Sequence, residues 1–181
     1  MPISMHALSV ESFVMMLRNL LGILDKGAAH AQKKGFDASV LVKARLAPDM
    51  FPLSRQVQII CVQAEAGVLL LTGKEPPQME TDKETLDALK ARIQRTIDML
   101  EKTPASAFEG TEDRDISVPL GEELVLELKG LAYLKDWVLP NFYFHLATAY
   151  DILRHNGVEL GKVDYLAGMG PALHKREREG K

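Results

Sequence analysis

Phe51-Pro-Leu-Ser-Arg-Gln-Val-Gln-Ile-Ile-Cys-Val-Gln-Ala-Glu-Ala-Gly-Val-Leu-Leu-Leu71 is the stretch that decides the fold. Pro52 opens it, and no further proline interrupts it. Val57, Ile60, Cys61, Ala64, Val68 and Leu71 recur at the three-and-four spacing of a helix. Ile59, Val62 and Leu69 lie on another side of the same helix. A helix apolar on two sides is either central to a bundle or covered by a second subunit.

Working outward, Val10, Phe13, Val14, Leu17, Leu21, Leu24, Ala28 and Ala31 predict a helix over Val10–Lys34, with Ser9 as N-cap and Gly35 as the stop. Lys33 and Lys34 suit the negative end of its dipole. Gly22 and Gly27 either weaken it or mark close approach by a neighbour. In the connection that follows, Asp37 caps a short helix reaching Arg45 or Leu46, and Pro48 and Pro52 break the chain.

Downstream, Gly73 and Pro76-Pro77 end the opening helix. Thr81-Asp-Lys-Glu84 reads as a capping box for a helix over Asp82–Lys102, whose stripe is Leu86, Leu89, Ile93, Ile97 and Leu100. The period then changes to two. Asp115–Leu120 and Glu123–Leu128 predict a small hairpin around Gly121-Glu122, with Pro119 suited to an edge; an irregular loop is the rival reading. Gly130–Asn156 returns to helix, kinked or divided at Pro140 and stopped by Gly157. Four long helices predict an all-α protein, a four-helix bundle with a β-hairpin before its last long helix.

The 181 residues suit one domain spanning 1–181, with a polar tail over 174–181 that is either solvated or a contact segment. A net charge of −3 lacks the basic surplus of a nucleic-acid binder. The first residues lack the pattern of a secretory signal, and no run of about 18 uninterrupted apolar residues predicts a membrane span. The single cysteine, Cys61, fits a reducing compartment and a cytoplasmic location. On the apolar stripe it reads as an inert buried thiol.

Motifs for phosphate cradling, a serine nucleophile elbow, cysteine-based zinc sites and a carboxylate–histidine diiron centre do not occur. His145 is the best candidate functional residue. It shares a helix face with Phe142, Ala149, Ile152 and Leu153, where an imidazole must find a polar partner. It reads either as a hydrogen-bonded core histidine or as a ligand. Trp137, Asn141, Tyr143 and Tyr150 are the neighbours that would line a pocket with it, and the surrounding aromatics read equally as core.

The segment Leu139–Leu166 carries Pro-Asn-Phe-Tyr-Phe-His145 and Leu-Arg-His-Asn-Gly-Val158, followed by Gly161-Lys162. It resembles a bacterial family of unknown function within the DinB/YfiT-like superfamily, a superfamily of four-helix-bundle metalloenzymes. Phe51–Gln58 resembles the same family's second helix. The resemblance implies a DinB-type bundle, usually homodimeric. Its metal-binding members hold a divalent ion with three histidines, one from the second helix and two from a His-x-x-x-His on the last long helix. His145 matches the first of that pair, Ala149 takes the place of the second, and Pro52–Leu71 contains no histidine. Gln56, Gln58, Gln63 and Glu65 are the available substitutes, and glutamine is a poor zinc ligand.

Two functional expectations follow. One is a bundle without the three-histidine site or a cofactor, binding a small molecule or a partner. The alternative is a transferase-like enzyme using His145, with or without zinc or nickel. A homodimer is expected in either case, through Ile59, Val62 and Leu69 of the second helix or Met15, Met16 and Leu20 of the first. Internal cover of that surface by the Phe36–Phe51 connection and the hairpin is the rival to it.

Overall fold

The structure, a computed structural model, describes residues 4–76 and 85–172. The chain runs through a π-type turn at Ala7–Glu11 into α1 (Ser12–Lys34), then α2 (Ser39–Lys43), α3 (Leu53–Leu71) and α4 (Leu86–Glu101). An antiparallel ribbon of β1 (Asp115–Leu120) and β2 (Leu124–Lys129) follows. A single turn, α5 (Gly130–Ala132), a second π-type stretch at Tyr133–Val138 and α6 (Leu139–His155) come next, and α7 (Lys162–Tyr165) with a 3-10 segment at Ala167–Ala172 end the described chain. The long helices α1, α3, α4 and α6 form an all-helical bundle carrying a small hairpin. α3 packs against both α4 and α6, and α1 closes the bundle against the same two helices.

The core is continuous across all four. Phe13, Leu17, Leu20 and Leu24 of α1 meet Val57, Ile60, Ala64 and Val68 of α3, Leu89 and Ile93 of α4, and Phe142, Leu146 and Ala149 of α6, all fully inaccessible. The rings of Phe13 and Phe142 stand 4.8 Å apart, a tilted contact that adds to their burial. Two glycines let helices close on one another. A Cβ on Gly67 would come 2.8 Å from Val138, and one on Gly27 would come 3.3 Å from Leu153.

Several sequence expectations change in detail. Ser9 is not the N-cap. The helix begins earlier, Ser4 Oγ accepts from Ala7 N at 3.1 Å, and the buried Ser9 hydroxyl donates to the Met5 carbonyl at 2.7 Å. Gly27 marks close approach, whereas Gly22 has open space beside it. Asp37 does cap the short helix through Ser39 N at 2.7 Å, but that helix stops at Lys43. The capping box at Thr81–Glu84 and the tail over 174–181 lie outside the described residues. Thr85 caps the described start of α4 by accepting from Ala88 N. Pro140 divides its helix by a change of type. The π-type turns end immediately before Leu139-Pro140, where the missing proline N–H would otherwise interrupt a regular ladder.

Met16 and Leu20 require the largest correction. Both are enclosed by the bundle itself, so neither is available for a surface contact. Met15, Ile59, Val62 and Leu69 are half-buried. The stretch Ala7–Lys34 is long and apolar enough, by composition, to cross a bilayer. Its apolar residues are nevertheless those that meet α3, α4 and α6 in the core.

Candidate functional site

α6 brings a polar side chain, His145, into contact with α3. His145 Nδ1 lies 2.6 Å from Gln56 Oε1 of α3, and Gln56 is almost wholly buried. The direction of the bond can be assigned. Gln56 Nε2 donates to the Phe51 carbonyl at 3.1 Å, and a carbonyl only accepts. The amide oxygen therefore turns toward His145, which requires the proton on Nδ1. Nε2 is left with its lone pair. Burial pushes the imidazole below its ordinary value near 6.5, because a desolvated site disfavours the cation. His145 is thus a neutral imidazole held in one tautomer, with an acceptor nitrogen directed away from the glutamine.

Phe144 packs edge-on to the His145 ring at 5.2 Å and is 59% exposed. Phe51 is 53% exposed, with the Arg55 guanidinium over its ring. The exposed Phe144 ring therefore flanks the polar pair, and Phe51 anchors its glutamine through the backbone carbonyl. Its donor set does not fit a three-histidine metal centre. Four residues beyond His145, where a second ligand would stand, Ala149 is packed into the core. Gln58 accepts from Arg55, and Glu65 accepts from Thr96 at 2.5 Å. Among the described residues, no group of three or more His, Cys, Asp or Glu is arranged to hold a metal ion.

The other sequence candidates do not converge on His145. At 100° per residue, Tyr143 and Tyr150 share a flank of α6 more than a third of a turn from His145. Tyr150 packs edge-on against Tyr165 of α7 at 6.0 Å. Burial raises the phenols of Tyr143 and Tyr165, and for Tyr165 the proximity of Tyr143 and Asp151 adds to it. Asn141 turns back on its own helix, donating to the Trp137 carbonyl at 2.7 Å, and Trp137 packs against the core. Cys61 is fully buried, as its place on the stripe predicts.

Sequence reasoning missed Asn19. This buried amide in the middle of α1 donates to the Tyr165 carbonyl at 2.9 Å and accepts from Gly168 N at 2.9 Å. It fastens the C-terminal segment onto α1 beside an open cleft of about 600 Å³ lined by His6, Glu11, Arg18 and Glu101. The available signal was an asparagine inside a helix, one turn from Met15, Met16 and Ile23 on the same face, which needs a partner for both ends of its amide.

Residues 5–166 match the family described as a domain of unknown function (DUF1993). The chain is also similar to a solved structure described as a DinB family member from Shewanella denitrificans. The two are 42% identical, the match covers 89% of this chain and 90% of that one, and the TM-score is 0.82. No protein of curated function matches.

Proposed function

We propose that this chain, which belongs to the DUF1993 family of domains of unknown function, is a DinB-like binding protein that receives a small molecule or a partner at the α3–α6 seam. One observation carries the reading. The histidine that corresponds to a metal ligand in the metal-binding bundles is paired with Gln56. Its neighbours at ligand distance along the helix and across the seam are an alanine and an amide. A neutral imidazole with a free acceptor nitrogen beside the exposed Phe144 ring suits a ligand with an apolar body and a hydrogen-bond donor. The single buried cysteine supports placing the protein in the cytoplasm.

The lone pair on Nε2 is also what a general base requires, and it is the feature favouring the alternative, an enzyme using His145. Metal analysis of protein purified without an affinity tag separates the proposal from the metal-dependent form of that alternative. The expected result is zinc and nickel well below one per chain, unchanged by His145→Ala. Stoichiometric metal that disappears with His145 would overturn the proposal and favour a metalloenzyme.

A further inference from the structure

The β1–β2 ribbon has a well covered base and a bare tip residue. Its register pairs Ile116 with Leu128, Val118 with Leu126 and Leu120 with Leu124, so six apolar side chains share one face. Ile116 at the base is 5% exposed, whereas Leu124 at the tip is 66% exposed. A two-stranded ribbon is marginal by itself, and this one has no third strand among the described residues.

The backbone shows which edge can take one. Gly130 N donates to the Arg114 carbonyl at 2.8 Å, which extends the ladder by one pair beyond Asp115–Lys129. Hydrogen-bonded pairs alternate along an antiparallel ladder. The even-numbered residues 116–128, 118–126 and 120–124 therefore bond to each other. The odd-numbered residues turn their N–H and C=O groups outward. On β1, one of these is Pro119, which has no N–H to offer, so that edge is blocked. On β2, the outward residues are Val125, Glu127 and Lys129, all exposed and all with complete backbone groups.

We propose that the free edge of β2 pairs antiparallel with the same edge of a second copy of this chain, making a four-stranded sheet across a two-fold axis at Leu126. Charge selects this register. It sets Glu123, the residue before the strand, opposite the partner's Lys129, Leu124 opposite the partner's Leu128 and Val125 opposite the partner's Glu127. Centring the pair on Val125 instead sets Glu123 opposite the partner's Glu127. Centring it on Glu127 sets two glutamates face to face. Like charges directly opposite one another destabilise a sheet. Registers centred on Leu124 or Leu128 need the whole turn at residues 121–123 or the helix that starts at Gly130 to pair, whereas the Leu126 register reaches only Glu123, the last turn residue. Lys129 already faces Asp115 at 2.6 Å, so the partner's Glu123 completes an exposed array of alternating sign. The bare tip residue Leu124 gains an apolar neighbour on the same face.

Sedimentation velocity across the micromolar range tests this with three variants. Val125→Pro removes an outward N–H without touching the bonds to β1. Glu123→Lys sets like charges opposite one another. Glu123→Lys combined with Lys129→Glu restores the attraction. The wild type is expected at twice 20.1 kDa, with each single variant weakening the dimer roughly tenfold or more and the double variant recovering it. A wild type that stays at 20.1 kDa throughout overturns the proposal. So does a dimer indifferent to both single variants, which would place the contact elsewhere, for instance at Ile59 and Val62. Circular dichroism of each variant separates loss of pairing from loss of fold, and a folded Glu123→Lys decides the matter if Val125→Pro does not fold.

Discussion

Leu146 and Leu124 are the same residue in opposite circumstances. Leu146 on α6 is wholly inaccessible, while Leu124 on β2 is 66% exposed. Each belongs to a mainly apolar face. The difference lies in what stands on the other side of that face. α6 packs against α3 along its length and meets α1 as well, so every residue of its stripe finds a neighbour. Ile116, Val118 and Leu128 of the ribbon lie on the core, and the face runs out to Leu124 beyond that cover. An apolar stripe therefore specifies a surface that wants a partner, and the tertiary structure decides whether the same chain supplies it.

The largest effect that tests this contrast belongs in the bundle. Leu146→Ala should lower stability by about 2–5 kcal/mol, from lost transfer free energy plus an unfilled cavity. Urea denaturation would read it as a lower midpoint at unchanged slope. A loss below about 1 kcal/mol would mean that the site collapses freely and that the core is not close-packed there.

Gln56→Leu comes next. It strands the His145 Nδ1–H and the Phe51 carbonyl in a half-buried seam, at a cost of about 1–3 kcal/mol. Nitrogen NMR of the His145 ring should also show the single Nδ1–H tautomer of the wild type giving way to a mixture. A ring that keeps one tautomer in the variant would show that Gln56 does not orient it.

The pH dependence is smaller, and its sign is fixed by burial. The folded pKa of His145 lies below its unfolded value near 6.5, so the unfolded chain binds more protons between the two. Stability from keeping this imidazole neutral is therefore complete above about 6.5 and is lost as the pH falls through the folded value. Subtracting the stability–pH curve of His145→Gln from that of the wild type should isolate this slope. A difference curve that rises as the pH falls would reverse the assignment.

At the other end of the comparison, Leu124→Ala should change the unfolding free energy of dilute protein by no more than about 0.5 kcal/mol. A loss as large as that for Leu146 would show that the ribbon tip is covered in the isolated chain, and the contrast would fail.

Much of the candidate site is legible in the sequence. His145 stands on an apolar face, so it has to find a polar partner, and the lack of a second histidine at position 149 can be read directly. Gln56 is visible there only as one of several polar residues on α3. Its selection depends on how the antiparallel pair α3 and α6 slide past each other, which no local pattern encodes. Tyr143 and Tyr150 group with His145 because they are close in sequence. The helical turn sends them to the opposite flank, toward α7.

What the sequence alone determined is the set of elements: four amphipathic helices, a period-two interval for the ribbon, and glycine stops at residues 35, 73 and 157, each with positive φ. These follow from short-range periodicity and backbone sterics, which need no distant contact. The tertiary structure decided what each apolar surplus meets. It enclosed Met16 and Leu20 within the bundle, left the Leu124 end of the ribbon open, paired Gln56 with His145 across 89 residues, and gave Asn19 a use in holding the C-terminal segment. Those outcomes depend on which surfaces meet when the elements pack, and a periodicity carries no information about its counterpart.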